Sequence, residues 1–166
     1  MDDLETLAGQ VGAALKSRGL MLASAESCTG GWVSEAVTAV AGSSHWFDRG
    51  FITYTNESKQ EMLGVTAATL AEFGAVSEPT VREMAAGALK HSHADVTLAI
   101  SGIAGPGGGS LEKPVGTVCM AWAMRSGAAR SQTLHFLGDR AGVRRQAVVA
   151  ALRGVLDLLD DQPMLA

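Results

Sequence analysis

Apolar residues recur along this chain with two periods, and each period predicts an element. Leu4, Leu7, Val11, Ala14 and Leu15 are spaced by threes and fours, which predicts an amphipathic helix closing at Arg18-Gly19. Leu20 to Ser24 is a short apolar run suited to a buried strand. Gly30 to Val40 returns to helical spacing, and Trp46 to Tyr54 alternates loosely among aromatic and β-branched residues, as a strand does. Three helices are then predicted, over Asn56–Leu63, over Thr66–Phe73 with Thr66 as N-cap, and from Ser77-Glu78-Pro79 onward. Asp95 to Ile100 reads as a buried strand. Val115–Met124 and Arg130–Leu137 read as two more, joined by a turn at Ser126-Gly127. Arg140 to Leu159 is a long closing helix. Strands alternate with helices except for one late adjacent pair. This predicts an α/β protein: a single three-layer α/β/α sandwich with a mixed sheet, forming one domain over residues 1–166.

Composition narrows the picture. Hydrophobic residues make up 47 % of the 166 positions and charged residues 18 %, a globular balance that excludes intrinsic disorder. The net charge is −4 and no Lys/Arg-rich run occurs, which disfavours nucleic-acid binding by phosphate neutralisation. No apolar stretch is long enough for a membrane span. The acidic start and the two cysteines, too few for a disulfide framework, point to a soluble, cytoplasmic setting with reduced thiols. Glycine is in surplus, at 20 residues, against about 12 for average usage.

Four segments carry candidate chemistry. Ala25–Gly31 lies between a predicted strand and a predicted helix, where ligands bind in open α/β sheets. There Ser27 is either a nucleophile or, with Thr29, a helix cap. Cys28 beside it reads as small packing. Tyr54–Lys59 follows a strand, and Lys59 is either a solvated helix residue or a general base with a lowered pKa. Ser101–Ser110 holds five glycines in ten residues, a flexible loop or an anion nest, and matches neither a Walker A loop nor a dinucleotide fingerprint. Gly138-Asp139-Arg140 opens the last helix. Arg140 and Arg144, four apart, either form a solvated face or clamp a phosphate. No Cys/His/Asp spacing supports a metal.

Together, ESCTGG at 26–31, TYTNESK at 53–59, SGIAGPGGG at 101–109, KPVGTV at 113–118 and GDR..VRR at 138–145 resemble the CinA C-terminal domain family, in family order and across nearly the whole chain. The resemblance implies a five-stranded mixed sheet. Its stand-alone members look like nicotinamide-nucleotide amidohydrolases. It therefore implies hydrolysis of the carboxamide of nicotinamide mononucleotide in pyridine-nucleotide salvage, with no cofactor or metal and commonly as a homodimer or other homo-oligomer. In that reading Ser27 matches the nucleophile, Lys59 its base and Tyr54 a tyrosine of the same site. Cys28, Thr29, Gly30 and Gly31 are candidates for substrate binding, and the backbone N–H groups near Cys28–Gly30 for stabilising an oxyanion. Gly102, Ala104 and Gly105 of the glycine-rich loop, with Arg140 and Arg144, are candidates for the nucleotide. The alternative from another class is a non-catalytic nucleotide-binding regulatory module.

Overall fold

In the computed structural model, which describes residues 3–162, the described residues form six α-helices and five strands. Helix α1 (Asp3–Arg18) buries Leu4, Leu7, Val11 and Leu15 along one stripe. It stops at Gly19, whose φ of 68° lies in the left-handed region that glycine reaches without steric cost. Strand β1 (Leu22–Glu26) starts two residues later than the apolar run predicts. The Leu20 N–H turns back to the Leu15 carbonyl at 3.0 Å, so Leu20 closes the helix. Both neighbouring strands continue to pair as far as Glu26, which extends β1 past Ser24. Helix α2 (Trp32–Thr38) likewise begins after Gly30 and Gly31, whose φ values of 57° and 106° form a turn.

The remaining elements lie close to their predicted places. They are β2 (Phe47–Ile52), α3 (Asn56–Leu63), α4 (Ala67–Phe73), α5 (Glu78–Lys90), β3 (Val96–Gly102), β4 (Thr117–Met124), β5 (Ala129–His135) and α6 (Arg140–Asp160). Their helix starts are set by side chains. Thr55 and Ser58 form a reciprocal capping box on α3, Thr66 caps α4, Ser77 caps α5, and Asp139 accepts from the Gly142 N–H at 2.8 Å on α6.

The sheet order is β2-β1-β3-β4-β5. Strand β1 runs parallel to β2 and β3, whereas β4 is antiparallel to both of its neighbours. The β1–β2 ladder contains one irregularity: pairing jumps from Leu22↔Phe47 to Ala23↔Arg49, leaving Asp48 as an extra residue in β2.

The two faces of the sheet differ in side-chain size. Leu98, Ile100, Met120 and Trp122 point to the layer of α1, α2 and α6, whereas Ala25, Ala99, Ala121 and Ala123 face α5. The alanines allow α5 to lie close, and the Thr97 hydroxyl donates to the Ala85 carbonyl at 2.8 Å across that gap. On the opposite face the Trp122 indole lies against Gly154 of α6 and donates its N–H to the Ala151 carbonyl at 2.9 Å. The result is the three-layer α/β/α sandwich with a five-stranded mixed sheet. Among the described residues no helix is long and apolar enough to cross a membrane. Parallel β1, β2 and β3 send their carboxyl ends to one edge, so the segments after Glu26, Ile52 and Gly102 emerge side by side.

Candidate active site

Ser27 is the first residue beyond β1, and its N–H still donates to the Ile100 carbonyl of β3 at 3.0 Å. Lys59 sits in the first turn of α3 and folds back beneath the end of β2. Its Nζ lies 2.9 Å from Ser27 Oγ, 2.8 Å from the Thr53 carbonyl and 3.2 Å from the Tyr54 carbonyl. The residue is only 1 % exposed, and among the described residues no carboxylate forms an ion pair with it. Burial without a counter-ion disfavours the ammonium and lowers the Lys59 pKa below the usual lysine value. A neutral amine has two N–H bonds and one lone pair. With the two carbonyls taking those N–H bonds, the lone pair of the neutral form would be left for the Ser27 hydroxyl, which in this structure donates to the Tyr54 carbonyl at 3.4 Å. This arrangement can take a proton from Ser27 and return it.

The turn that carries Ser27 is organised by Glu26, a residue the motif reading left without a role. Its carboxylate is fully buried at the end of β1. One oxygen accepts from the Thr29 hydroxyl at 2.7 Å, the Val33 N–H at 2.9 Å and the Gly31 N–H at 3.3 Å. The other accepts from the N–H and hydroxyl of Ser34 at 3.2 and 3.3 Å. The carboxylate thereby caps α2 from the preceding strand, since Gly31 at the N-cap position has no side chain to do so. The signal in the sequence was its isolation: no other charged residue occurs between Leu20 and Val33. On the other side of the turn Arg144 Nε donates to the Cys28 carbonyl at 2.9 Å and Nη2 to the Thr29 carbonyl at 3.2 Å. Its guanidinium also stacks 5.4 Å from the Trp32 ring centroid.

A cleft of about 260 Å³ opens over Ser27 and Lys59. Cys28, Tyr54, Gly102, Ala104 and Arg140 also line it, as do Val76 and Ser101, which the motifs did not single out for a role. Tyr54 is an exposed rim residue, and its hydroxyl accepts from Arg140 Nη2 at 3.2 Å. Arg140 Nη1 meanwhile donates to the Gly105 carbonyl at 2.9 Å. Thr29, Gly30, Gly31 and Arg144 lie behind this wall rather than in it. Thr29 is fully buried on Glu26, and the Gly30 N–H donates to the Ser27 carbonyl at 3.1 Å. The N–H groups of Cys28 and Thr29 donate to no other residue among those described. Arg140, Arg144 and Ala104 border a second, adjoining cleft of about 720 Å³.

Cys28 neighbours Ser27 in the cleft. Burial pushes its thiol pKa up to about 11, so the thiolate is scarce near neutrality. Among the described residues no group of three His, Cys, Asp or Glu side chains is placed to hold a metal ion.

Comparison with known proteins agrees with the architecture. The chain is 58 % identical over 151 residues to the nicotinamide-nucleotide amidohydrolase PncC of Escherichia coli (strain K12), covering 91 % of this chain and 92 % of that protein. It is 48 % identical over 158 residues to the protein of the same name from Pseudomonas putida, covering 95 % and 98 %. Among solved structures, the competence/damage inducible protein CihA from Agrobacterium tumefaciens matches with a TM-score of 0.93 and 46 % identity, covering 95 % of this chain and 96 % of that one. The family model for the CinA C-terminal domain matches residues 4–159, and the chain belongs to that family.

Proposed function

We propose that this protein hydrolyses the carboxamide of nicotinamide mononucleotide to nicotinic acid mononucleotide and ammonia through a Ser27–Lys59 dyad. The observation that carries the reading is the approach of a buried lysine, held by neutral partners alone, to within 2.9 Å of a serine hydroxyl at a strand end. A structural lysine gains nothing from that burial, whereas a general base needs the lowered pKa it produces. The names of the relatives support the substrate class.

Neutral Lys59 takes the Ser27 proton as the oxygen attacks the carboxamide carbon. The N–H groups of Cys28 and Thr29 are the candidate donors to the resulting oxyanion, narrowing the set near Cys28–Gly30. Such a donor contributes about 3–4 kcal/mol in other hydrolases. Protonated Lys59 then gives its proton to the departing amide nitrogen, and ammonia leaves an ester on Ser27. Water attacks that ester, Lys59 takes a proton from it, and the same proton returns to Ser27 as the acid leaves. The cationic pyridinium assists attack by withdrawing electrons. Arg140 at the rim is the candidate partner for the nucleotide phosphate.

The reading extends to a cytoplasmic setting, which the two free, buried cysteines support. It extends also to a homo-oligomer, supported by exposed Ile52, Leu111 and Leu137. The experiment is ammonia release from nicotinamide mononucleotide by the metal-free protein, wild type against Ser27→Ala and Lys59→Ala. Loss in both variants is expected, with folding retained. Wild-type turnover in Ser27→Ala would overturn the nucleophile. Nucleotide binding without ammonia release by the wild type would favour a regulatory module.

A further inference from the structure

We propose that Glu26 and Arg144 are paired positioning residues for the reaction, holding the Ser27 turn from opposite sides without touching the substrate. This rests on the amidohydrolase reading and adds to it a role for two charged groups outside the dyad.

The argument starts from the peptide groups. Residues 27–31 form a turn with two left-handed glycines and no regular hydrogen-bond ladder of their own. Such a segment has no intrinsic preference for one arrangement. Glu26 takes the turn's donors, the Thr29 hydroxyl and the Gly31 N–H, together with the N–H groups of Val33 and Ser34 in the first turn of α2. Arg144 takes its acceptors, the carbonyls of Cys28 and Thr29. A peptide unit is planar and trans, so its N–H points opposite to its C=O. Fixing the Cys28 carbonyl on Arg144 therefore turns the Thr29 N–H away from the guanidinium and leaves it free of protein acceptors. The same grip holds Ser27 Oγ at its distance from Lys59, because Ser27 lies between Glu26 and the peptide that Arg144 grips.

Arg144 thus has two candidate roles with different signatures. A phosphate ligand contributes to substrate binding, and its loss raises KM for the phosphorylated substrate alone. A positioning residue acts on the reacting atoms, and its loss lowers kcat whatever the substrate carries at its far end.

The test is steady-state ammonia release by the full chain, comparing wild type, Glu26→Gln and Arg144→Ala on nicotinamide mononucleotide and on the phosphate-free riboside. Gln offers one acceptor oxygen in place of two and places an NH2 group among donors. Alanine leaves both carbonyls unheld. Each variant is expected to lower kcat on the mononucleotide by about tenfold to a hundredfold with KM within about threefold. The riboside kcat/KM is expected to fall by the same factor. Circular dichroism monitors folding. If Glu26→Gln does not fold, the half-buried Arg144 decides through its own variant. Unchanged kcat in Arg144→Ala, or a loss confined to KM for the mononucleotide, overturns the proposal while leaving the amidohydrolase reading intact. A wild-type chain that releases no ammonia overturns that reading and this role together.

Discussion

Arg140 donates to the Tyr54 hydroxyl at 3.2 Å, joining the start of α6 to the residues that follow β2 across the mouth of the cleft. The contact places a fixed positive charge at the rim, on the first residue of a helix, in a protein whose net charge is −4. Charge-assisted hydrogen bonds contribute about 1.5–3 kcal/mol each. Arg140→Ala is therefore expected to raise KM for the mononucleotide roughly tenfold to a hundredfold. The riboside is expected to be affected much less. Paired kinetics on the two substrates measure the difference, and an equal loss on both would remove Arg140 from the phosphate.

The pH dependence follows from Lys59. Burial lowers its pKa, and the proposed mechanism uses the neutral amine, so kcat/KM is expected to rise with pH along a limb centred below about 10.4, the unperturbed lysine value. Lys59→Arg keeps a charge that never titrates and is expected to lose at least about a hundredfold in rate at every pH. Stability carries the same sign. Between the lowered pKa and about 10.4 the unfolded chain holds a proton at Lys59 that the folded chain does not, so this residue's contribution rises with pH. Lys59→Met removes that contribution, and denaturant melts of both proteins at pH 7 and pH 9 would reveal it as a difference in slope.

Cys28 lines the cleft beside Ser27, but its thiol pKa is pushed up to about 11 by burial. Cys28→Ala is expected to keep kcat within about threefold of wild type, and iodoacetamide near neutrality to leave activity intact. Rapid inactivation with alkylation at Cys28 would contradict both the protonated state and its burial.

Two helix glycines predict substitutions of opposite sign. A Cβ at Gly9 of α1 meets nothing within 4 Å, so Gly9→Ala is expected to stabilise by up to about 1 kcal/mol through helix propensity. A Cβ at Gly154 of α6 would overlap the Trp122 indole. Gly154→Ala is therefore expected to destabilise by about 1–2 kcal/mol, overpacking outweighing propensity. Urea melts of the two variants test the pair.

Local structure was legible in the sequence wherever its cause is local. Thr66, Ser77 and Asp139 mark their helices because a cap acts within three residues, and α3 begins and ends as its spacing predicts. The limits of β1 were not legible, since Leu20 and Met21 are as apolar as the strand they precede. Nor does periodicity join Ser27 to Lys59. They are 32 positions apart and meet only because β1 and β2 lie side by side in parallel; family resemblance, not pattern, paired them in advance. The contacts of Glu26 and Arg144 with the Ser27 turn escaped for a further reason. They act on backbone carbonyls and N–H groups, and residue types carry no record of where a peptide group will point.

The extra residue at Asp48 gives the sheet a length adjustment far from the chemistry. Every β1–β2 pair beyond it, from Ala23↔Arg49 to Glu26↔Ile52, is offset by one position. Asp48 is held there by the His93 N–H at 3.0 Å and by Arg49 at 2.9 Å. One position along a strand is about 3.3 Å, comparable to a hydrogen bond. The proposed Ser27–Lys59 dyad therefore stands like the far tip of a vernier whose zero is set at the opposite rim of the sheet: deleting residue 48 is expected to draw the Thr53 and Tyr54 carbonyls, and Lys59 with them, out of step with Ser27 without changing the identity of any cleft residue.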